Sequence, residues 1–92
     1  MNDKNEIWLI TTKGCFGCKI AKNLIQEAIS KSKINNIEFI ESDISADIRE
    51  HFKEYSFRDF PVTLFVKNNN IIHSFSGTKP AIVIAKNIDD NF

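Results

Sequence analysis

A chain of 92 residues has room for one domain, since domains usually take about 100 to 150 residues and smaller units need staples. Its 42% hydrophobic, 11% aromatic and 26% charged residues form a globular composition, which excludes a disordered or collagen-like chain. Lys plus Arg is 12 and Asp plus Glu is 12, so no net field gathers nucleic acid or an anionic membrane surface.

Met1 to Glu6 is polar, and no apolar run of signal-peptide length follows it. The longest apolar stretches run to about four residues, far below the roughly 18 to 20 that a bilayer span needs. Residues 1–92 are therefore read as one domain with a cytoplasmic address, no nucleic acid or membrane partner, and a monomeric state.

Ile7 to Ile10 is a β-branched and aromatic run that ends in Thr11 and Thr12, before Lys13 and Gly14 break it; it reads as a buried strand feeding a loop. From Cys18 onward Ala21, Leu24, Ile25, Ala28 and Ile29 recur at helical spacing, opposite Lys19, Lys22, Asn23 and Gln26. This predicts an amphipathic helix to about Lys31. Asn35 and Asn36 turn the chain into a second strand, Ile37 to Glu41, expected to be mostly buried.

Ser45 is a candidate N-cap for a second helix carrying Ile48, Phe52 and Tyr55 on one face and stopping near Tyr55 or Ser56. Pro61 then precedes Val62 to Val66, too short and too β-branched for a helix, and Asn68 to Asn70 can turn the chain into Ile71 to Phe75. These two runs form a hairpin. Gly77 ends it, Thr78 can cap, Pro80 suits a first helical turn, and Ala81, Ile84, Ala85 and Ile88 make a third apolar stripe. The order is βαβαββα. A helix joins the first two strands, which makes them parallel through a right-handed crossover, and the tight turn makes the last two antiparallel. The fold class is thus α/β, a four-stranded mixed sheet flanked by helices.

Cys15 and Cys18 are the only cysteines in the chain, spaced C-x-x-C. So short a loop removes little unfolded-chain entropy when bonded, so a structural staple is the weaker reading. Half of a zinc site, a coincidental pair and a redox pair remain. Zinc needs about four ligands, and His51 and His73 are too far apart for the usual histidine spacing of roughly three to five intervening residues. Cys15 stands after a strand and before a helix, facing that helix's unpaired N–H groups, with Lys13 and Lys19 adding positive charge. Surroundings of this kind favour a thiolate and bring cysteine pKa values into a range of roughly 3.5 to 7.5. Cys18, one turn inside, should be less exposed, and the spacing suits a nucleophile and its resolving thiol.

In combination these residues resemble the thioredoxin and glutaredoxin superfamily, over nearly the whole chain from Ile7 to Ile88. Cys15-Phe16-Gly17-Cys18-Lys19 follows a strand as that family's redox motif does, and Tyr55 to Pro61 looks like its approach to a cis-proline. Val62 to Val66, the Asn turn, Ile71 to Phe75 and Gly77 resemble its terminal hairpin and the glycine after it. The resemblance implies a minimal thioredoxin fold, a cis Pro61 beside the cysteines, and a Phe60 backbone that pairs with an extended substrate, with Phe16 and Gly17 also at the substrate surface. It further implies a dithiol-disulfide oxidoreductase with no bound cofactor beyond the reversible Cys15–Cys18 disulfide. Protein disulfides would be its substrates, and glutathione or a thioredoxin reductase its external reductant. A glutathione-dependent reductase or an iron–sulfur carrier is the alternative, and inert thiols in an adaptor of the same fold are the bland one.

The chain also departs from the family. Gly14 rather than Trp precedes Cys15, Phe16-Gly17 stands where Gly-Pro or Pro-Tyr is usual, and Ile7 to Ile10 contains no acid to accept a proton. After the hairpin only Gly77 stands, followed by Thr78 and Lys79, where glutaredoxins carry a Gly-Gly pair and an acid. The short N-terminus resembles glutaredoxin and the stretch from Pro61 to Gly77 resembles thioredoxin. Beside the motif, Phe16 reads as a partly exposed docking residue, Trp8 as core, and His51 and His73 as solvated side chains.

Overall fold

A computed structural model describes residues 4–92. Strand β1 (Asn5–Thr11) leads to helix α1 (Phe16–Lys31), strand β2 (Ile37–Asp43), helix α2 (Ala46–His51), strands β3 (Val62–Lys67) and β4 (Asn70–Ser76), and helix α3 (Ala81–Asn91). The sheet order is β2-β1-β3-β4, with β1 parallel to β2 and antiparallel to β3, and β3 antiparallel to β4. This is the predicted βαβαββα arrangement in a mixed sheet. Among the described residues no helix is long and apolar enough to cross a membrane.

β1 is longer than its apolar run suggests, because a central strand draws its polar ends into the ladder. Asn5 and Glu6 are buried there. The Glu6 carboxylate is compensated by the Lys4 ammonium at 3.4 Å and by the Trp8 indole N–H, which donates to Oε1 over 3.2 Å. Buried charge is tolerated when paired and hydrogen-bonded in this way.

The sheet separates two apolar layers. On one face α1 and α3 pack Ala21, Ile25, Ala28, Ile84 and Ile88 against Ile7, Leu9 and Phe65. On the other, Ile10, Val62, Leu64 and Val66 meet Phe52 and Phe57. The two-residue period of a strand accounts for this division, since alternate side chains of β1 and β3 serve opposite layers. Trp8 is half-buried at the margin of the second layer, edge-on to Phe52 at 5.0 Å between ring centres.

Four expectations need correction. β2 has no fully buried residue: it is an edge strand, with only β1 beside it. Helix α2 ends at His51, where Phe52 leaves helical geometry (φ −115°, ψ 51°). Carrying both Phe52 and Phe57 under the sheet requires the chain to turn there, and burial of two aromatics outweighs one more helical turn. Ser45 does cap α2, its side chain accepting from the Ile48 N–H at 3.1 Å. At α3 the N-cap is Pro80 rather than Thr78, and its carbonyl accepts from Val83 and Ile84 at 3.0 and 3.1 Å. The predicted turn is present, with Asn68 and Asn69 both at positive φ (51° and 70°), which suits a two-residue hairpin loop.

The fourth correction concerns His73. Its ring lies 5.1 Å from that of Phe65, its Nε2 is buried without a hydrogen-bond partner, and the residue is half-buried rather than fully solvated. Burial, and then the nearby Lys79 charge, lowers its pKa below the ordinary 6.5. The unfolded chain therefore binds a proton at a higher pH than the folded one, so stability rises with pH across that interval. The contribution of neutral His73 is complete above about 6.5 and is lost as the pH falls from there toward the lower folded value. Thermal melts between pH 7.5 and 5.5 are expected to show the wild type losing stability on acidification and His73→Phe losing less of it; equal slopes would contradict the assignment.

Candidate active site

The site is built where β1 ends. Gly14 takes φ +70°, a left-handed conformation that a side chain disfavours, and this turn sets Cys15 at the N-cap of α1 with extended backbone (φ −90°, ψ 103°). Cys15 makes no side-chain capping bond, and the first turn of α1 carries no acid, so the helix dipole and free N–H groups act on the cysteine loop unopposed. Cys15 and Cys18 are joined by a disulfide, with Cα atoms 5.5 Å apart. Cys15 is half-buried and Cys18 is 7% exposed, so Cys18, one turn inside, is the less exposed of the two, as expected.

Pro61 approaches the pair from β3. It is buried, and the Phe60–Pro61 bond is cis. A Cβ added to Gly17 would stand 3.4 Å from Pro61 Cδ and 3.8 Å from Thr78 Cγ2, in ordinary contact, so a side chain that extends beyond Cβ would press on this loop. The Gly77 N–H donates to the Pro61 carbonyl over 2.8 Å, which ties the end of the hairpin to the same place. Phe60 is half-buried against the second apolar layer. Phe16 is 94% exposed beside Cys15, with Ile20 on the next turn at 54%.

A cavity of about 460 Å³ opens on the other flank of the α1 terminus, lined by Thr11, Thr12, Cys15, Cys18, Lys19 and Glu41 among others. Lys19 therefore lines the same cavity as both cysteines. Lys13 lines a neighbouring cavity with Thr12, Asp43 and Ile44 instead. Sequence reasoning did not find Glu41 or Thr78: neither lies in the motif, and only the β1–β2 register and the hairpin's return bring them to the cysteines. Among the described residues no group of three or more His, Cys, Asp or Glu side chains gathers as a metal site.

No family model and no curated protein matches this chain by sequence. Solved structures do match its fold. Thioredoxin-2 of the malaria parasite superposes with a TM-score of 0.77 at 12% identity, over 99% of this chain and 86% of that one. Oxidised mitochondrial thioredoxin 3 from Saccharomyces cerevisiae gives 0.73 at 18% identity, over 95% and 78%. A chain from the complex of ferredoxin:thioredoxin reductase with thioredoxin f2 gives 0.73 at 21%, over 95% and 76%. The fold is the thioredoxin fold, and it presents a bonded C-x-x-C pair at the start of its first helix.

Exposure and packing separate the two residues between the cysteines. Phe16→Ser is expected to leave stability within about 0.5 kcal/mol of wild type because the ring touches solvent. Gly17→Val should cost about 1 to 3 kcal/mol, since its added methyls press on the Pro61 loop. Denaturant unfolding of the two variants checks both, and similar midpoints would contradict the contact at Gly17.

Proposed function

We propose that this chain is a small dithiol-disulfide oxidoreductase that reduces protein disulfides. The observation that carries the reading is the Cys15–Cys18 pair at the N-terminus of α1, with one sulfur half-buried, the other enclosed, and Pro61 alongside. In the reduced protein the Cys15 thiolate, favoured by the helix terminus and by Lys19, attacks a substrate disulfide and expels one substrate thiolate. Cys18 then attacks Cys15 Sγ, which releases the second substrate thiol and forms the bond seen here. Phe16 and Gly17 present an apolar, unobstructed surface to the substrate, and the backbone at Phe60 and Pro61 offers groups for an extended segment. Lys13 adds positive charge from the loop at longer range.

A reductase or glutathione returns the dithiol form. That one matching fold occurs in a complex of a thioredoxin with its reductase supports a reductase partner. A reducing, cytoplasmic setting suits this direction, and the protein is proposed to act as a monomer. Thioredoxin-type chemistry is favoured over glutathione-type chemistry for a physical reason. Glutathione's carboxylates need fixed donors, but the hairpin offers one glycine, Gly77, and the Lys79 ammonium is engaged over the Phe75 ring at 4.8 Å.

Cys15→Ser is expected to abolish disulfide reduction, and Cys18→Ser to accumulate a mixed disulfide visible by intact mass. Alkylation at neutral pH should label Cys15 of the reduced protein first, and labelling of Cys18 first would reverse the roles. In parallel assays, insulin reduction should exceed reduction of a glutathione mixed disulfide; the opposite order would place the chain with the glutathione-dependent enzymes.

A further inference from the structure

The proposed cycle leaves one chemical problem. Cys18 is enclosed and enters the second step as a thiol, yet only its thiolate can attack Cys15. A proton acceptor must therefore be reachable from an almost buried sulfur. On the face that packs against α1, β1 offers Ile7 and Leu9, both wholly buried and apolar.

The parallel register of β1 and β2 sets Glu41 opposite Leu9. Side chains at paired positions share a face of the sheet, so Glu41 projects on the α1 side, the side on which Leu9 packs against Ala21 and Ile25. Because β2 is the edge strand, Glu41 stays 38% exposed on its side chain, and Lys22 of α1 holds its Oε1 at 3.2 Å. Among the described residues Glu41 is the one carboxylate lining the 460 Å³ cavity that both cysteines also line. The other polar groups there are unsuited to the task. Lys19 is a cation, Thr12 carries a weakly basic hydroxyl, and Thr11 donates its own hydroxyl to Asp43. Asp43 faces the neighbouring cavity with Lys13.

We propose that Glu41 takes the Cys18 proton through solvent in this cavity, with Lys22 as the residue that positions it. The inference rests on the oxidoreductase reading. In the mixed disulfide, the Cys18 S–H proton passes by way of water to the Glu41 carboxylate. The Cys18 sulfur bonds to Cys15 Sγ, and the bond from Cys15 Sγ to the substrate sulfur breaks. The departing substrate thiolate takes that proton from Glu41, directly or by way of solvent. The protein dithiol is oxidised by two electrons, the substrate disulfide is reduced by two, and Glu41 is left as it began.

An equimolar aromatic disulfide that yields a coloured thiolate separates the steps in one stopped-flow trace. The first chromophore leaves when Cys15 attacks and the second when Cys18 resolves the mixed disulfide. The leaving thiolate needs no proton, so only deprotonation of Cys18 is at issue in the second release. Glu41→Gln is expected to leave the melting temperature unchanged and to slow the second release by about tenfold near neutral pH without slowing the first. This is less than the roughly 10² to 10⁴ of an enclosed base because the cavity is open to water. The variant's second rate should climb more steeply with pH than the wild type's as hydroxide replaces the lost base, and Glu41→Asp or added imidazole should recover part of it. A Glu41→Gln protein with the wild-type second rate and pH profile overturns the assignment. Wild-type protein that releases a single chromophore would instead overturn the oxidoreductase reading itself.

Discussion

The geometry of the cysteine pair follows from where α1 begins. Two residues three apart can be bridged when the chain between them makes a helical turn, and here the Cα atoms stand 5.5 Å apart with the Cys18 N–H donating to the Cys15 carbonyl over 3.3 Å. The left-handed Gly14 turns the chain out of β1 immediately before that point. Cys15 consequently faces the open N–H groups of the helix while Cys18 is drawn under it. Different exposure of two identical side chains is what allows them different roles.

The sheet supplies the rest of the environment. β1 lies between β2 and β3, so the loop after β1 has a neighbour on each side. From β3 comes Pro61, against the Gly17 side of the helix terminus. From β2 comes Glu41, across the cavity on the opposite flank. One flank is close-packed and tied by the bond from the Gly77 N–H to the Pro61 carbonyl; the other is open and holds polar groups. The two flanks of one disulfide therefore differ, one closed by packing and the other open to solvent.

The apolar layers beneath keep this frame in register. A slip of one residue between β1 and β2 would turn Glu41 away from α1 and exchange the two layers, since strand side chains alternate faces. Burial of Leu9 and Ile7 on one side, and of Ile10 on the other, resists that slip. Stability of the core and placement of the chemistry are in this sense one property.

Much of this was legible from the chain alone. Helical spacing from Cys18 to Ile29, β-branched runs in three places and the paired asparagines specify the elements, because local periodicity and turn chemistry depend on near neighbours. The C-x-x-C spacing between a strand and a helix marked the bonded pair for the same reason. The end of α2 at His51, the exposure of edge strand β2, and the burial of His73 beside Phe65 were decided by packing between elements far apart in sequence. Glu41 belongs with these. An acid in a strand of alternating pattern reads as a solvated side chain, and only the register with Leu9 and the crossing of α1 above it bring it to the cavity of the two sulfurs.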